Sequence, residues 1–376
     1  MIARALLPIL QSRIFKQKAI IITGPRQAGK TTLLKLLVDQ NNYPSLWFNG
    51  DEPNVPALFQ NITSFELENI IGKNKMLIFD EAQRIPNIGI TLKLLVDNFP
   101  DVQVIATGSS AFELSDEINE PLTGRKFEYQ LYPLSFGELS LENGIIEEKR
   151  LLKQRLIFGS YPDVINNPVD ATEILNWLSD SYLYKDLFRL ESLKKPDLLV
   201  KLLQALSYQI GSEVMYNELA QTVSSDPKTV DKYIGLLEKT FVVFRLPALS
   251  RNLRNEIKKS RKVYFYDNGI RNAIINNFTP VNNRQDIGAL WENYCISERM
   301  KLASYQRIHS NRFFWRTKQQ QEIDYVEERA GKMWAYEFKY QPDKQVNLSK
   351  TFMKAYPQHQ FQIVNSSNYT EFLSNE

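Results

Sequence analysis

A glycine-rich segment near the start of the chain has the residue types and spacing of a phosphate-binding loop. It matches the pattern G-x-x-x-x-G-K-[ST], follows an apolar run at 19–23 and precedes a leucine-rich helical pattern. Backbone N–H groups in such a loop can cradle phosphate oxygens at a helix N-terminus. Lys30 would reach the β- and γ-phosphates, and the Thr31 hydroxyl would ligate Mg²⁺. The predicted nucleotide contacts are Gly24, Pro25, Arg26, Gln27, Ala28, Gly29, Lys30, Thr31 and Thr32.

Two carboxylates end a second apolar run, at 76–79. Asp80 is placed to hold Mg²⁺ or its waters, and Glu81 could take a proton from an attacking water as general base. A solvated acidic pair at a strand end is the alternative, which the phosphate loop disfavours. The two motifs together predict ATP and Mg²⁺ as cofactors and hydrolysis of ATP to ADP and phosphate as the reaction.

Two further polar residues are candidates for the same site. Ser109 lies in the segment Thr-Gly-Ser-Ser at 107–110 and could sense the γ-phosphate or orient water, although a simple Gly-Ser turn is the alternative. Arg125 is a candidate arginine finger, with a surface or sheet-edge arginine as an equal alternative. A finger that acts on a neighbour's nucleotide would require a homo-oligomer.

A second group of charged residues near the C-terminus could do a different chemistry. Glu292 lies on an amphipathic helical pattern, Asp324 lies in a strand pattern, and Glu337 and Lys339 share one face of the next strand. These carboxylates could hold Mg²⁺ near a scissile phosphate, while the lysine steadies the attacking water. The pattern resembles the PD-(D/E)xK nuclease core. Surface ions beside a hairpin are the alternative, and cleavage is a separate question because a fold does not fix a function.

The first site requires a parallel sheet covered by helices on both faces. Short apolar runs alternate with helical patterns, which is typical of that architecture. One strand is expected between the phosphate-loop strand and the carboxylate strand, as in AAA-type ATPases whose Glu activates water. The predicted strands are 19–23, 45–49, 75–79, 102–107 and 126–132.

The middle of the chain is mostly helical and contains a winged-helix pattern. A helix beginning at 213–220, a turn at 224–227, a second helix at 228–237 and a strand at 241–246 follow in that order. Basic residues after this strand could contact DNA phosphates, or could form a solvated loop on a protein-packing module. They are Arg251, Arg254, Lys258, Lys259, Arg261 and Lys262.

After about residue 285, the pattern indicates a second α/β unit that contains the C-terminal carboxylates. It begins with a helix and ends with a further helix and a last strand. Between them lie strands expected near 312–316, 322–327 and 332–339.

The order of these motifs resembles the prokaryotic AAA-type ATPases that carry the C-terminal domain of unknown function 4143. The matching segments are 24–32, 79–87, 107–110, 122–125, 131–138, 159–163, 291–293 and 337–339. Ala28 is a small departure, since similar proteins often have Val there. The resemblance implies an α/β chain with a P-loop NTPase parallel sheet of the AAA/ASCE type at 1–140. A helical and winged-helix region at 141–282 and a PD-(D/E)xK nuclease-like α/β domain at 283–376 would follow.

Composition excludes few partners but narrows the class of protein. Of 376 residues, 43% are hydrophobic, so each domain can bury a core. The 46 Lys and Arg against 43 Asp and Glu give a net charge of +3, so a nucleic-acid surface must be a local patch. One cysteine, Cys295, and two histidines disfavour a disulfide framework and a zinc site. The N-terminal apolar stretch is too short to span a bilayer, so we expect a cytoplasmic protein without a membrane partner.

Two functional hypotheses follow. The first is a DNA-associated ATPase, such as a remodeller, a helicase-like motor or a nuclease. The second is a nucleotide-gated switch or protein-interaction module whose nuclease-like domain does not cleave. The first predicts stimulation of ATP hydrolysis by DNA, and the second predicts slow hydrolysis without stimulation.

Overall fold

The computed structural model describes residues 2–109, 118, 120–180, 195–250 and 261–374. They form two compact units. Unit 1 comprises Met1–Leu134 with Lys239–Phe241, and unit 2 comprises Ser135–Glu238 with Val242–Glu376. Apart from Lys239–Phe241, the residues of both domains predicted after residue 140 therefore fall in unit 2. Within the described residues, every helix falls short of the length and apolar character that a membrane crossing requires.

Unit 1 is built on a five-stranded parallel sheet with strand order β2-β3-β4-β1-β5. Its strands are β1 (Ala19–Thr23), β2 (Ser45–Asn49), β3 (Met76–Asp80), β4 (Gln103–Gly108) and β5 (Lys126–Gln130). Its helices are α1 (Leu6–Gln11), α2 (Lys30–Asn41), α3 (Asn54–Phe59), α4 (Ser64–Ile71) and α5 (Ile88–Asn98). The five strands predicted from the sequence are confirmed, and β4 lies between β1 and β3 as expected.

Apart from Arg125, the predicted nucleotide-site residues lie at one edge of the sheet of unit 1. Every residue of β1 and β4 is buried, as expected for strands covered on both faces. The core includes Ile21, Leu77, Phe79 and Leu92. Because all strands are parallel, their carboxyl ends meet at one edge, where ligands bind in open α/β sheets.

Unit 2 contains two smaller sheets. A three-stranded sheet has the order β6-β8-β7, and a four-stranded sheet has the order β12-β11-β10-β9. The strands are β6 (Glu213–Val214), β7 (Val243–Pro247), β8 (Arg261–Phe265), β9 (Asn311–Arg316), β10 (Glu322–Arg329), β11 (Lys332–Phe338) and β12 (His359–Val364). Strands β11 and β12 are parallel, while the other pairs are antiparallel.

Helices and strands of unit 2 both contribute to its core. The helices are α6 (Phe136–Asn143), α7 (Ile145–Phe158), α8 (Pro162–Asn166), α9 (Ala171–Leu178), α10 (Pro196–Tyr208), α11 (Tyr216–Thr222), α12 (Pro227–Lys239), α13 (Asn268–Ile274), α14 (Ile287–Tyr305), α15 (Lys350–Ala355) and α16 (Tyr369–Ser374). Trp291 and Cys295 of α14 are fully buried against Tyr325 of β10 and Tyr369 of α16.

One element of the middle region differs from the sequence-based expectation. Residues Glu213–Val214 were predicted to begin a helix, but they form strand β6, paired with Arg261 and Lys262 of β8. The helix begins only at Tyr216. This pairing partner lies almost 50 residues further along the chain, so local periodicity does not reveal it. Val230, Tyr233, Ile234 and Leu237 of α12 are buried, as predicted.

Candidate functional site

The loop between β1 and α2 has the backbone geometry of a phosphate-binding loop. A side chain on Gly24 would place its Cβ 2.1 Å from the carbonyl oxygen of Leu131, so glycine is needed for the chain to leave β1 beside the end of β5. Gly29 has φ +94°, a left-handed conformation that glycine adopts without strain. Gly29 caps α2, and Lys30 is its first residue. The free N–H groups of that helix end are available to an anion.

Lys30 is held over this loop. Its side chain is buried, and Nζ donates to the carbonyl oxygens of Gly24 at 2.8 Å and Pro25 at 3.0 Å. The ammonium of Lys30 thus lies at the mouth of the loop and donates to neutral carbonyl groups. It can therefore move to phosphate oxygens, which are stronger acceptors.

Asp80 joins the loop to the two central strands. Its Oδ2 accepts a hydrogen bond from the Thr31 hydroxyl at 2.6 Å, and its Oδ1 accepts one from the Thr107 hydroxyl. The carboxylate at the end of β3 therefore faces the first turn of α2. Hydroxyl and carboxylate oxygens are the ligands that Mg²⁺ prefers, so Thr31 and Asp80 fit the predicted metal role.

Glu81 follows Asp80 and is fixed by its backbone as well as its side chain. It has φ +49°, and its N–H donates to the Thr107 hydroxyl oxygen at 3.2 Å. Its Oε2 accepts a hydrogen bond from Nε2 of Gln83 at 2.6 Å. The same nitrogen donates to Oγ of Ser109 at 3.2 Å. The side-chain amide of Gln83 therefore contacts both Glu81 and Ser109.

The sequence analysis missed three residues that shape this site: Thr107, Gln83 and Arg4. The buried guanidinium of Arg4 donates to the carbonyl oxygens of Ala28 and Tyr132, both at 2.6 Å. It therefore ties the outer side of the phosphate loop to the segment after β5. Arg4 has no motif of its own, whereas Thr107 and Gln83 lie beside motif residues that could have drawn attention to them.

Of the remaining loop residues, Gln27 has φ +58° and is exposed, while Arg26 is partly buried. Thr32 is exposed on the first turn of α2, and Ala28 is fully buried. Ser110 lies outside the described residues.

Arg125 lies at the wrong end of the sheet to act on the nucleotide of its own chain. Its carbonyl oxygen accepts from Ala19 at the start of β1, whereas the phosphate loop follows the other end of that strand, about 15 Å away. Its Nε is 2.6 Å from Oδ1 of Asp97, and both side chains are partly exposed. A finger role on a neighbouring subunit's nucleotide stays a prediction.

The C-terminal carboxylates each have a lysine partner. Nζ of Lys339 is 2.8 Å from Oε2 of Glu337 and 3.3 Å from Oδ2 of Asp324. Nζ of Lys262 lies 3.0 Å from Oε1 of Glu292 and 2.6 Å from Oε1 of Glu322. Among the residues that the structure describes, no three acidic, His or Cys side chains are grouped so that they could hold a metal ion.

This arrangement corrects two expectations. Glu292, Asp324 and Glu337 do not form one metal-binding group, because Glu292 is directed to Lys262 and the other two to Lys339. Lys262 was predicted to contact DNA phosphates, but its side chain is 2% exposed. The basic residues Arg251, Arg254, Lys258 and Lys259 lie outside the described residues.

The electrostatics of this cluster follow from its burial. Burial raises the pKa of Glu292 to about 7 although Lys262 opposes the shift, and burial together with nearby Asp324 raises the pKa of Glu337 to about 7. Burial disfavours the charged form of Lys262, but Glu292, Asp324 and Glu322 outweigh it and raise its pKa. Lys262 therefore stays charged and acts as the internal counter-ion of these carboxylates.

Comparison with known proteins divides the chain into three matched segments. A family model described as an AAA domain matches residues 16–140. Two domains of unknown function, 8612 and 4143, match residues 149–309 and 287–375. The AAA match covers β1 to β5 and the loop with Lys30. Residues 16–140 are therefore similar to an AAA domain, and residues 287–375 are similar to domain 4143.

Relatives extend over most of the chain without assigning an activity. "Uncharacterized protein Rv2008c" of Mycobacterium tuberculosis is 25% identical over 333 residues, 88% of this chain and 72% of its own. An uncharacterized protein of Haemophilus influenzae is 25% identical over 282 residues, 68% of each chain. Among solved structures, the RuvB Holliday junction branch migration motor of Thermotoga maritima has 16% identity and a TM-score of 0.33. That match covers 65% of this chain and 90% of RuvB.

Proposed function

We propose that the protein is a Mg²⁺-dependent ATPase that hydrolyses ATP to ADP and phosphate at the edge of the parallel sheet in unit 1. The observation that carries this proposal is the convergence on Asp80. Its carboxylate accepts hydrogen bonds from Thr31 after the phosphate loop and from Thr107 of β4. The next residue, Glu81, adds a second carboxylate at the same edge.

Each residue has a distinct role in this reaction. Lys30 and the loop N–H groups would bind the phosphates, while Thr31 and Asp80 would hold Mg²⁺, which would neutralise phosphate charge. Glu81 accepts a proton from the water that attacks the γ-phosphorus. Electrostatic stabilisation and positioning therefore do most of the catalytic work, as in other P-loop enzymes.

Steady-state release of phosphate from ATP tests the proposal. Lys30→Ala should reduce hydrolysis by at least about 100-fold, because it removes the charge that binds the phosphates. Lys35→Ala is the matched control, since Lys35 lies exposed on the same helix. Hydrolysis by Lys30→Ala at the wild-type rate would overturn the proposal.

For unit 2, the leading hypothesis remains an action on DNA. The order α10, β6, α11, α12, β7 and β8 supports a winged helix, since a helix, a short strand, two helices and a hairpin follow one another as in that module. The nuclease-like interpretation of β9 to β12 and α14 is supported by the shared neighbourhood of Asp324, Glu337 and Lys339.

A second candidate is a nuclease-like unit that does not cleave, and the pairing of Lys262 favours it. Lys262, which lies outside the Glu337–Lys339 pattern, already neutralises Glu292, a carboxylate that a nuclease would use to hold a divalent cation. We therefore expect no cleavage of single-stranded, duplex or branched DNA by the wild type with Mg²⁺ or Mn²⁺. Cleavage that disappears in Glu337→Ala would contradict this candidate and favour a nuclease.

A further inference from the structure

Gln83 connects two parts of the nucleotide site that come from different strands. Glu81 follows β3 and Ser109 follows β4, and the Gln83 side chain lies between them. Its Nε2 donates to Oε2 of Glu81 at 2.6 Å and to Oγ of Ser109 at 3.2 Å. One amide group therefore bridges the general-base candidate and the candidate sensor of the γ-phosphate.

The chemistry of the partners fixes the orientation of this amide. An ionised carboxylate only accepts hydrogen bonds, so Nε2 rather than Oε1 of Gln83 must face Glu81. Turning the amide would place two oxygens against each other in a partly buried site, which is unfavourable. Two donated hydrogen bonds then use both hydrogens of the amide nitrogen.

The backbone around Gln83 leaves this side chain little freedom. Residues Ala82–Arg84 form one turn of 3₁₀ helix, in which the N–H of Arg84 donates to the carbonyl oxygen of Glu81 at 3.0 Å. The N–H of Glu81 is held by Thr107. Since the main chain of Glu81 is fixed on both sides, Gln83 is the contact that directs its carboxylate.

We propose that Gln83 is a positioning residue for ATP hydrolysis, which holds the carboxylate of Glu81 and links it to Ser109. This inference rests on the proposed function. With Oε2 engaged by Gln83, Oε1 of Glu81 is the oxygen that takes the proton of the attacking water. The water oxygen bonds to the γ-phosphorus as the bond to the bridging oxygen breaks, and ADP leaves. A base oriented by a third group is a recurring arrangement in enzymes.

Two variants of Gln83 distinguish its positioning role from a contribution to packing alone. Gln83→Glu is isosteric but replaces the donor with an acceptor of like charge beside Glu81, and Gln83→Ala removes the group. Loss of one hydrogen bond to a charged group predicts a fall in kcat of about 10- to 100-fold, with the KM for ATP and the Kd of a fluorescent ATP analogue within about twofold of wild type. Gln60→Ala, at an exposed position of unit 1, is the control.

A double-mutant cycle gives the decisive readout. If Gln83 acts through Glu81, then Gln83→Ala should cause no further fall in the single-turnover rate of Glu81→Gln. Losses that multiply, an unchanged kcat in both Gln83 variants, or a rise in KM as large as the fall in kcat would overturn the inference. Wild-type protein that hydrolyses no ATP would instead refute the proposed function. Active wild type with fully active Gln83 variants would refute the positioning role alone.

Discussion

At the residue scale, the charge of Lys262 compensates the buried C-terminal carboxylates. It contacts Glu292 and Glu322 directly, and Tyr264 donates a further hydrogen bond to Oε1 of Glu292 at 2.5 Å. The ammonium therefore stabilises negative charge that would otherwise be buried without compensation. Buried pairs of this kind are costly to break, even where replacing the whole pair would be tolerated.

Removal of this charge should therefore destabilise the protein. Lys262→Met should lower the free energy of unfolding by about 3–5 kcal/mol, because it leaves a buried carboxylate without its partner. Chemical denaturation monitored by tryptophan fluorescence would measure the change. Lys332→Met is the control, since Lys332 is an exposed lysine of unit 2. A loss below about 1 kcal/mol, the range of a surface pair, would contradict the role assigned to Lys262.

At the residue scale, the sequence allows prediction of residues that belong to contiguous motifs. Lys30, Thr31, Asp80 and Glu81 were predicted as nucleotide-site residues because each lies in a short pattern that ends or begins an element. Lys262 was misread because a basic run looks the same whether its lysines are solvated or buried. Its partners, Glu292 and Glu322, lie 30 and 60 residues away.

At the element scale, the segment before α1 forms part of the nucleotide site. Through Arg4 it contacts the carbonyl oxygens of Ala28 in the phosphate loop and Tyr132 after β5. The loop's N–H groups must point toward phosphate, so some of its carbonyl groups point outward and need donors. Arg4 supplies one such hydrogen bond, to Ala28, and the same rigid group donates a second one to Tyr132 after β5.

Shortening Arg4 should loosen the phosphate loop and weaken nucleotide binding. We expect Arg4→Ala to raise the Kd for ATP about tenfold, the effect of one lost charge-assisted hydrogen bond. Arg4→Lys should recover little, because an ammonium does not reproduce the two-pronged geometry. Titration with a fluorescent ATP analogue would measure this, with Lys16→Ala as a control for charge. Unchanged affinity in Arg4→Ala would show that the contact does not shape the loop.

The elements themselves were predicted well where each is long and bounded by turns. All five strands of unit 1 and strands β9, β10 and β11 of the C-terminal sheet lie within a few residues of their expected positions. Strand β6 was missed because its two residues are a strand only through pairing with β8. The prediction that Arg125 acts on the nucleotide of its own chain was wrong for a related reason. The direction of the parallel strands places Arg125 beside the start of β1, away from the phosphate loop.

At the scale of the whole molecule, the open question is what ATP hydrolysis serves. The net charge of +3 does not favour a nucleic-acid partner, so any DNA surface must be local. In unit 2, α12 presents the exposed Lys228 and Lys232 one turn apart. Arg245 is not available in the same way, because it forms ion pairs with Asp231 and Glu238.

If α12 contacts DNA, the contact should be electrostatic and sensitive to salt. We expect replacement of Lys228 and Lys232 by Glu to weaken DNA binding and to reduce the slope of log K against log salt by about one per lost phosphate contact. DNA stimulation of ATP hydrolysis should fall in parallel. Exposed Lys350, in the C-terminal region, provides the charge-reversal control. If the wild type neither binds DNA nor responds to it, the nucleotide-gated switch becomes the favoured function.

The most direct test of the proposed ATP-hydrolysing site is the fate of ATP in the Glu81→Gln variant. Wild type and Glu81→Gln would each be incubated with ATP and Mg²⁺, and the bound and free nucleotides separated by chromatography. We expect wild type to convert ATP to ADP, whereas Glu81→Gln should keep ATP bound and hydrolyse it at least about 100-fold more slowly, because the general base is lost. Conversion of ATP by Glu81→Gln at the wild-type rate would contradict the assignment of the catalytic site.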